Sequence, residues 1–277
     1  MLNAITLLES LAEQTWDRIK DGVEFDISQG EETITDFNLL EILRSGVNTL
    51  RVVKLSKDEE AIKGIDWEWW IGSRSQGWLR YAVQAKKIDF SSQRYNSLAH
   101  EVNDIPQIDL LKMYARKVSA IPLYCFYNYS QKANLQHYWQ CSFQYEEKQL
   151  GCTVAPSSTI QQALNTRGCR NFEFVHSFHN TIPWRCLLKC PRVLQIYSNG
   201  SNNLAFENIK VYSTLPDYLA RAADDNQQVL VSEFYPTIRR NEIGDLDING
   251  EIFENKPEIR VIPKKVLVID ISSDEND

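Results

Sequence analysis

Two stretches in the first third of the chain alternate apolar and polar residues with a period of two, the signature of half-buried strands. In the first, Ile65, Trp67, Trp69 and Ile71 fall on one side and Asp66 and Glu68 on the other. In the second, Leu79, Tyr81, Val83 and Ala85 oppose Arg80, Gln84 and Lys86. Residues 72–77 (Gly-Ser-Arg-Ser-Gln-Gly) between them are turn chemistry, which predicts an antiparallel hairpin with its tip near residue 74 or 75. That register sets Asp66 across from Gln84, where directly opposed Cβ atoms lie about 4.5–5.5 Å apart. One face of one hairpin then gathers carboxylate, amide and ammonium groups.

Elsewhere the apolar period lengthens. Leu8, Leu11, Ala12, Thr15, Trp16 and Ile19 keep helical spacing, with Gly22 as the expected stop. A second helix is predicted from Glu31 or Thr33 to Ser45, with Ile34, Phe37, Leu40 and Leu43 inward. Residues 48–55 read as a strand and 57–60 as a solvated turn. After the hairpin, 93–100 and 108–118 read as helices interrupted near Pro106, and 121–127 as an apolar, aromatic strand. The second half predicts a helix over 157–164, a strand over 172–178, a helix over 216–223 begun at Pro216, and strands over 229–234 and 265–271. The expected class is α/β, a mixed central sheet flanked by helices. Residues 1–128 would form the core with its N-terminal helices. Residues 129–277 would be an α+β extension packed on it, with an acidic, disordered tail at 272–277.

Composition narrows the setting. A chain of 277 residues buries a sizeable core as one large or two modest domains. It has no apolar run long enough to span a membrane. Asn3, Thr6 and Glu9 interrupt the stretch a secretion signal would need. Six scattered cysteines read as reduced thiols, hence a cytoplasmic protein with no membrane partner. The net charge of −7 argues against positive potential over the whole surface. Within residues 72–94, however, Arg74, Arg80, Lys86, Lys87 and Arg94 face only Asp89, and nucleic-acid binding depends on such local patches.

The hairpin also carries a resemblance. Gly64-x-Asp66 on one strand followed by Gln84-x-Lys86 on the next resembles the PD-(D/E)xK nuclease superfamily, in the Gln-x-Lys form seen in Mrr-like restriction endonucleases. The order helix, three strands, helix, strand over residues 30–128 is similar to that superfamily's core. The resemblance implies a restriction-endonuclease-like core and an Mg²⁺- or Mn²⁺-dependent endonuclease acting on DNA, in a role that would suit a bacterial defence effector. It assigns Asp66 as principal metal ligand, with the Gln84 side chain and the Ala85 carbonyl beside it. Lys86 would orient or deprotonate the attacking water. Glu32 would be the helix carboxylate, with Glu31 and Glu41 as rivals, and Arg74, Arg80 and Lys87 would contact substrate. Glu68 shares a face with Asp66 and either adds charge to the metal site or pairs with Arg80.

Two other readings stand beside this one: a catalytically inactive, nucleic-acid-binding member of the fold, or a module that docks a protein partner or a second copy of the chain. Cys169, His176, His179, Cys186 and Cys190 fall within 22 residues. Zinc uses Cys and His in fours, but the spacing is weak and the expectation is buried cysteines and surface histidines without Zn²⁺.

Overall fold

The computed structural model describes residues 3–54, 65–190, 193, 210–217, 219, 237–238, 259–260, 263 and 265–272. The first helix, α1 (Ala4–Glu24), starts where the Asn3 side chain accepts the Thr6 N–H at 2.9 Å. It does not stop at Gly22. That glycine instead permits a close fold-back: Ile27 N–H donates to Gly22 O at 2.8 Å, and a Cβ there would stand 2.6 Å from Ile27 O.

Helix α2 (Glu31–Arg44) lies where expected but turns a different side inward. Ile34, Thr35, Asn38, Leu39 and Ile42 are buried, while Phe37, Leu40 and Leu43 are exposed. Steps of three residues advance only about 300° in a helix of 3.6 residues per turn, so residues 34, 37, 40 and 43 drift around the cylinder. Positions i, i+1, i+4, i+5 and i+8 stay on one face. Its two polar members are satisfied, Thr35 Oγ1 with the Tyr127 hydroxyl at 2.9 Å and Asn38 Oδ1 with Thr15 Oγ1 at 3.3 Å.

The strands follow as β1 (Leu50–Lys54), β2 (Trp67–Ser73) and β3 (Gly77–Lys87). Short pieces β4 (Glu101–Val102) and β5 (Ile105–Pro106) pair with each other ahead of α3 (Gln107–Lys117) and β6 (Ile121–Tyr127). Then come β7 (Cys152–Pro156), α4 (Ser157–Asn165), α5 (Phe172–His176), β8 (Ile182–Pro183) and α6 (Cys186–Lys189). The last pieces are β9 (Val211–Tyr212), β10 (Thr237–Ile238), β11 (Ile259–Arg260) and β12 (Lys265–Asp270). The main sheet runs β1-β12-β2-β3-β6-β7-β8, with β9 beside the start of β3. It is mixed: β12 is parallel to β2 and β3 to β6, the other neighbours antiparallel. Helices α1 and α2 cover one face, and α3, α4 and α5 the other. Residues on both sides of position 128 share this sheet, because β12 lies between β1 and β2.

The hairpin has the expected register, Trp67 opposite Val83 through Ser73 opposite Gly77, and its tip at residues 74–76. Gly77 makes the turn at φ +83°, crowded by Val211. The expected half-burial is wrong, however. Every residue of β2 and all of β3 through Lys86 are buried, because β12 and β6 flank the pair and helices cover both faces.

Two predicted elements change type. Residues 93–100 hold only a short 3-10 turn at Asn96–Ala99, after Asp89 has caught Ser91 and Ser92 in a side-chain turn. Residues 172–176 are helix rather than strand. Asn171 caps Phe174 N–H at 2.9 Å, and Phe172, Val175 and His176 are buried at helical spacing. The turn at 57–60, the strand at 229–234 and most of the helix at 216–223 fall outside the described residues.

Candidate active site

Strand β3 runs past the start of β2, so the backbone N–H groups on that side of residues 85 and 87 need acceptors other than a strand. Two carboxylates supply them. Asp66 Oδ2 accepts the Ala85 N–H at 2.9 Å, and Glu31 Oε2, at the start of α2, accepts the Lys87 N–H at 3.2 Å. Asp66 also accepts a very short hydrogen bond from the Gln84 amide, which fixes it opposite Gln84 as expected. Lys86 is buried, 3 % exposed, with Nζ 3.7 Å from Glu31 Oε1. Asp66, Gln84, Ala85, Lys86 and Glu31 thus meet at one open end of the sheet.

Of the three candidates for the helix carboxylate, the structure brings Glu31 to Lys86. Glu32 is exposed, and Glu41, ten residues along α2 or about 15 Å, binds Arg44 at 3.1 Å. The sequence signal was there: with Gly30 as N-cap, Glu31 is the first helical residue and overhangs the strand ends. One residue of this cluster escaped the sequence reading altogether. Tyr124 stands beside Gln84 across the β3–β6 pair, fully buried, its hydroxyl without a hydrogen-bond partner among the described residues. Burial above all, then the charges of Asp109, Asp66 and Glu31, holds this hydroxyl well above its ordinary range. It therefore stays a neutral donor. Gln84, 1 % exposed, likewise leaves Oε1 without a partner.

The three basic substrate candidates separate. Arg80 is buried and committed: it holds Glu68 at 2.6 Å, touches the Tyr114 hydroxyl at 3.2 Å and lies over the Trp70 ring. Glu68 is fully buried and also accepts from Tyr114 and from Trp70 Nε1, both at 2.6 Å. Glu68 therefore pairs with Arg80, whose guanidinium is held inside the fold. Lys87 turns to the loop before α2, with Nζ on Gln29 O at 2.6 Å and Ser28 Oγ at 3.1 Å. Burial lowers its pKa, opposed by Asp89. Arg74 is exposed at the hairpin tip, eight residues or about 25 Å of strand from Asp66.

The Cys/His group also separates. His176 is buried, stacked on Phe172, with Nε2 on Thr153 Oγ1 and Nδ1 on Phe172 O, both at 2.9 Å. Desolvation lowers its pKa to about 4. His179 is exposed, and the Cys169 thiol donates to Arg167 O. Cys186 and Cys190 instead meet Cys141, which the sequence reading did not include: Cys186 Sγ lies 3.1 Å from Cys141 Sγ, and Cys190 contacts both. Those two thiol contacts, then burial, push Cys186 far above the usual thiol range.

The fold and these contacts define a mixed α/β protein with a cluster of carboxylate, amide and ammonium groups at one open sheet end. The chain belongs to DUF6615, a family of unknown function whose profile spans residues 4–274. No curated protein and no solved structure matches it. Among the described residues no helix is long and apolar enough to cross a membrane.

Proposed function

We propose that the chain is a divalent-metal-dependent endonuclease of the PD-(D/E)xK type that hydrolyses DNA phosphodiesters. The observation that carries the reading is the convergence of Asp66, Gln84, Lys86 and Glu31 at the open end of β2 and β3. The order α2, β1, β2, β3, α3, β6, with β3 parallel to β6, supports it. So does the donor chemistry. Mg²⁺ favours hard oxygen ligands, and the buried Gln84 Oε1 is an acceptor without a donor among the described residues. Asp66, Glu31, the Gln84 side-chain carbonyl and the Ala85 main-chain carbonyl would hold Mg²⁺ or Mn²⁺. When bound, the ion supplies an acidified water and offsets charge on the phosphate.

The chain's own residues carry the remaining steps. Lys86 Nζ, kept in place by Glu31, orients the attacking water, takes or shares its proton, and offsets negative charge as the P–O bond to the leaving group breaks. Asp66 keeps the end of β3 in place through Ala85 N–H, so Gln84 and Lys86 hold their spacing. Tyr124 offers a neutral hydroxyl from the neighbouring strand.

The test is cleavage of supercoiled and linear DNA with Mg²⁺ or Mn²⁺, with and without EDTA, for wild type and Asp66→Asn. Cleavage that EDTA and Asp66→Asn both abolish is the expected result. No cleavage of DNA or RNA, together with no calorimetric signal for either ion, overturns the proposal. A second reading draws on the exposed Phe37, Leu40 and Leu43 of α2, which would suit a protein-docking module. It is favoured if the protein neither cleaves nor binds nucleic acid.

A further inference from the structure

We infer that Cys141 and Cys186 form a site of reversible oxidation, closing to a disulfide when a peroxide reaches Cys141. Their sulfurs lie 3.1 Å apart, and both belong to segments held from several sides. Cys186 opens α6, with Cys190 one turn on and its N–H donating to Cys186 O at 3.1 Å. The loop bearing Cys141 is closed by Trp139 Nε1 donating to Phe143 O at 2.8 Å, by the edge contact of Trp139 with Tyr145, and by Arg185 over the Trp139 ring. Arg185 in turn binds Glu9 and Glu146, which ties α6 to α1 and to the end of this loop. The two thiols therefore meet because their backbones are fixed, and bond formation needs only about 1 Å of approach to the 2.05 Å of a disulfide.

Access and chemistry differ between the partners in a way that orders the steps. Cys141 is half-buried, whereas Cys186 and Cys190 are fully buried. Cys141 Sγ accepts the Cys186 thiol hydrogen and the Phe143 N–H, the latter at 3.5 Å, contacts that favour its thiolate, while Cys190 and burial outweigh them and hold the thiol above its ordinary pKa. Hydrogen peroxide is the oxidant. The Cys141 sulfur attacks one peroxide oxygen, the O–O bond breaks, and sulfenic acid and one water form. The Cys186 sulfur then attacks the sulfenic sulfur, and the hydroxide that leaves takes the Cys186 proton as a second water. Two electrons leave the pair of sulfurs and two waters carry the peroxide oxygens. Reduction needs an external dithiol, which attacks one sulfur of the bond and leaves as its own disulfide, returning Cys141 and Cys186 to thiols.

The test uses the full chain treated with hydrogen peroxide, alkylated after denaturation, and read by peptide mass spectrometry. Of the six thiols, four should remain, with a single Cys141–Cys186 cross-link that dithiothreitol reverses. Cys141→Ser should abolish the cross-link and Cys190→Ser should leave it. If Cys141→Ser does not fold, the wild-type cross-link is decisive by itself. Six thiols left free, a cross-link at any other pair, or a metal ion that shields the three thiols until chelator is added, each overturns the inference.

Discussion

Asp66, just ahead of β2, and Glu68, two residues on, point to the same face, yet they have opposite circumstances. Glu68 is sealed: Arg80, Tyr114 and Trp70 take up its two oxygens in a buried layer under α3. Asp66 lies at the ragged end of the sheet, half-exposed, beside a glutamine oxygen and a tyrosine hydroxyl that have no hydrogen-bond partners among the described residues. A buried charge that is fully satisfied stabilises and specifies packing, and removing one partner is costly. A polar cluster with unsatisfied acceptors is where a fold can receive a ligand. The lesson is that the hairpin's polar face does two jobs, divided by a single turn of the strand's pleat.

The comparison can be broken from either side. On the Asp66 side, Lys86→Ala should slow cleavage by about 10²–10⁴, the usual share of a positioned acid–base group, while calorimetric Mg²⁺ binding persists. Retention of the wild-type rate removes Lys86 from the chemistry. On the other side, Glu68→Gln should cost about 3–5 kcal/mol of stability by leaving Arg80 buried without its charge partner, read as a lower urea midpoint. Its turnover per folded molecule should be that of wild type. If Glu68→Gln instead abolishes cleavage in folded protein, the two carboxylates form one site.

Smaller effects sharpen the boundary. Glu31→Gln should lower the cleavage rate by about ten- to a hundredfold, the worth of a charge-assisted contact, with Glu32→Gln and Glu41→Gln near wild type. Equal losses in all three would mean that α2 acts through its general charge.

His176 extends the satisfied class to pH. Its folded pKa of about 4 lies below the ordinary 6.5, so below pH 6.5 the unfolded chain takes up a proton the folded chain refuses. The neutral-pH stability is complete above 6.5 and falls as pH drops towards 4. About 2 kcal/mol should be gone at pH 5. Urea midpoints at pH 7 and pH 5 for wild type and His176→Gln measure this, and an equal drop in both proteins would assign the loss to other groups.

The smallest change expected is in Gln84→Glu, which should lower the Mg²⁺ concentration for half-maximal cleavage by adding a charged oxygen. Superimposable titrations would take Gln84 out of the site.

What could be read in the sequence was local. Period-two alternation and the glycines at 72 and 77 give the hairpin, its tip and the Asp66–Gln84 opposition. The burial of the polar face was not legible, because its cause is α3, whose Tyr114 lies on Glu68 and Arg80 from well beyond the hairpin in the chain. The α2 face was misjudged by following apolar residues at intervals of three and passing over Thr35 and Asn38, polar residues that are buried because they have partners. Phe172–His176 alternates like a strand, and only the Asn171 cap marks it as a helix. Cys141 lies far in sequence from the cysteines it meets.

The position of β12 has a consequence for how the molecule comes into being. In the sheet order β1 reaches β2 through β12, so the strand following α2 is joined to the hairpin by a strand made nearly two hundred residues later. At about 5–20 residues per second, a ribosome needs roughly 10–40 s between the end of β2 and the appearance of β12. Throughout that interval β1 and β2 have open edges facing one another. A nascent chain therefore carries the β2–β3 hairpin beside an unpaired edge, and the sheet reaches its full order when residues 265–270 have been made.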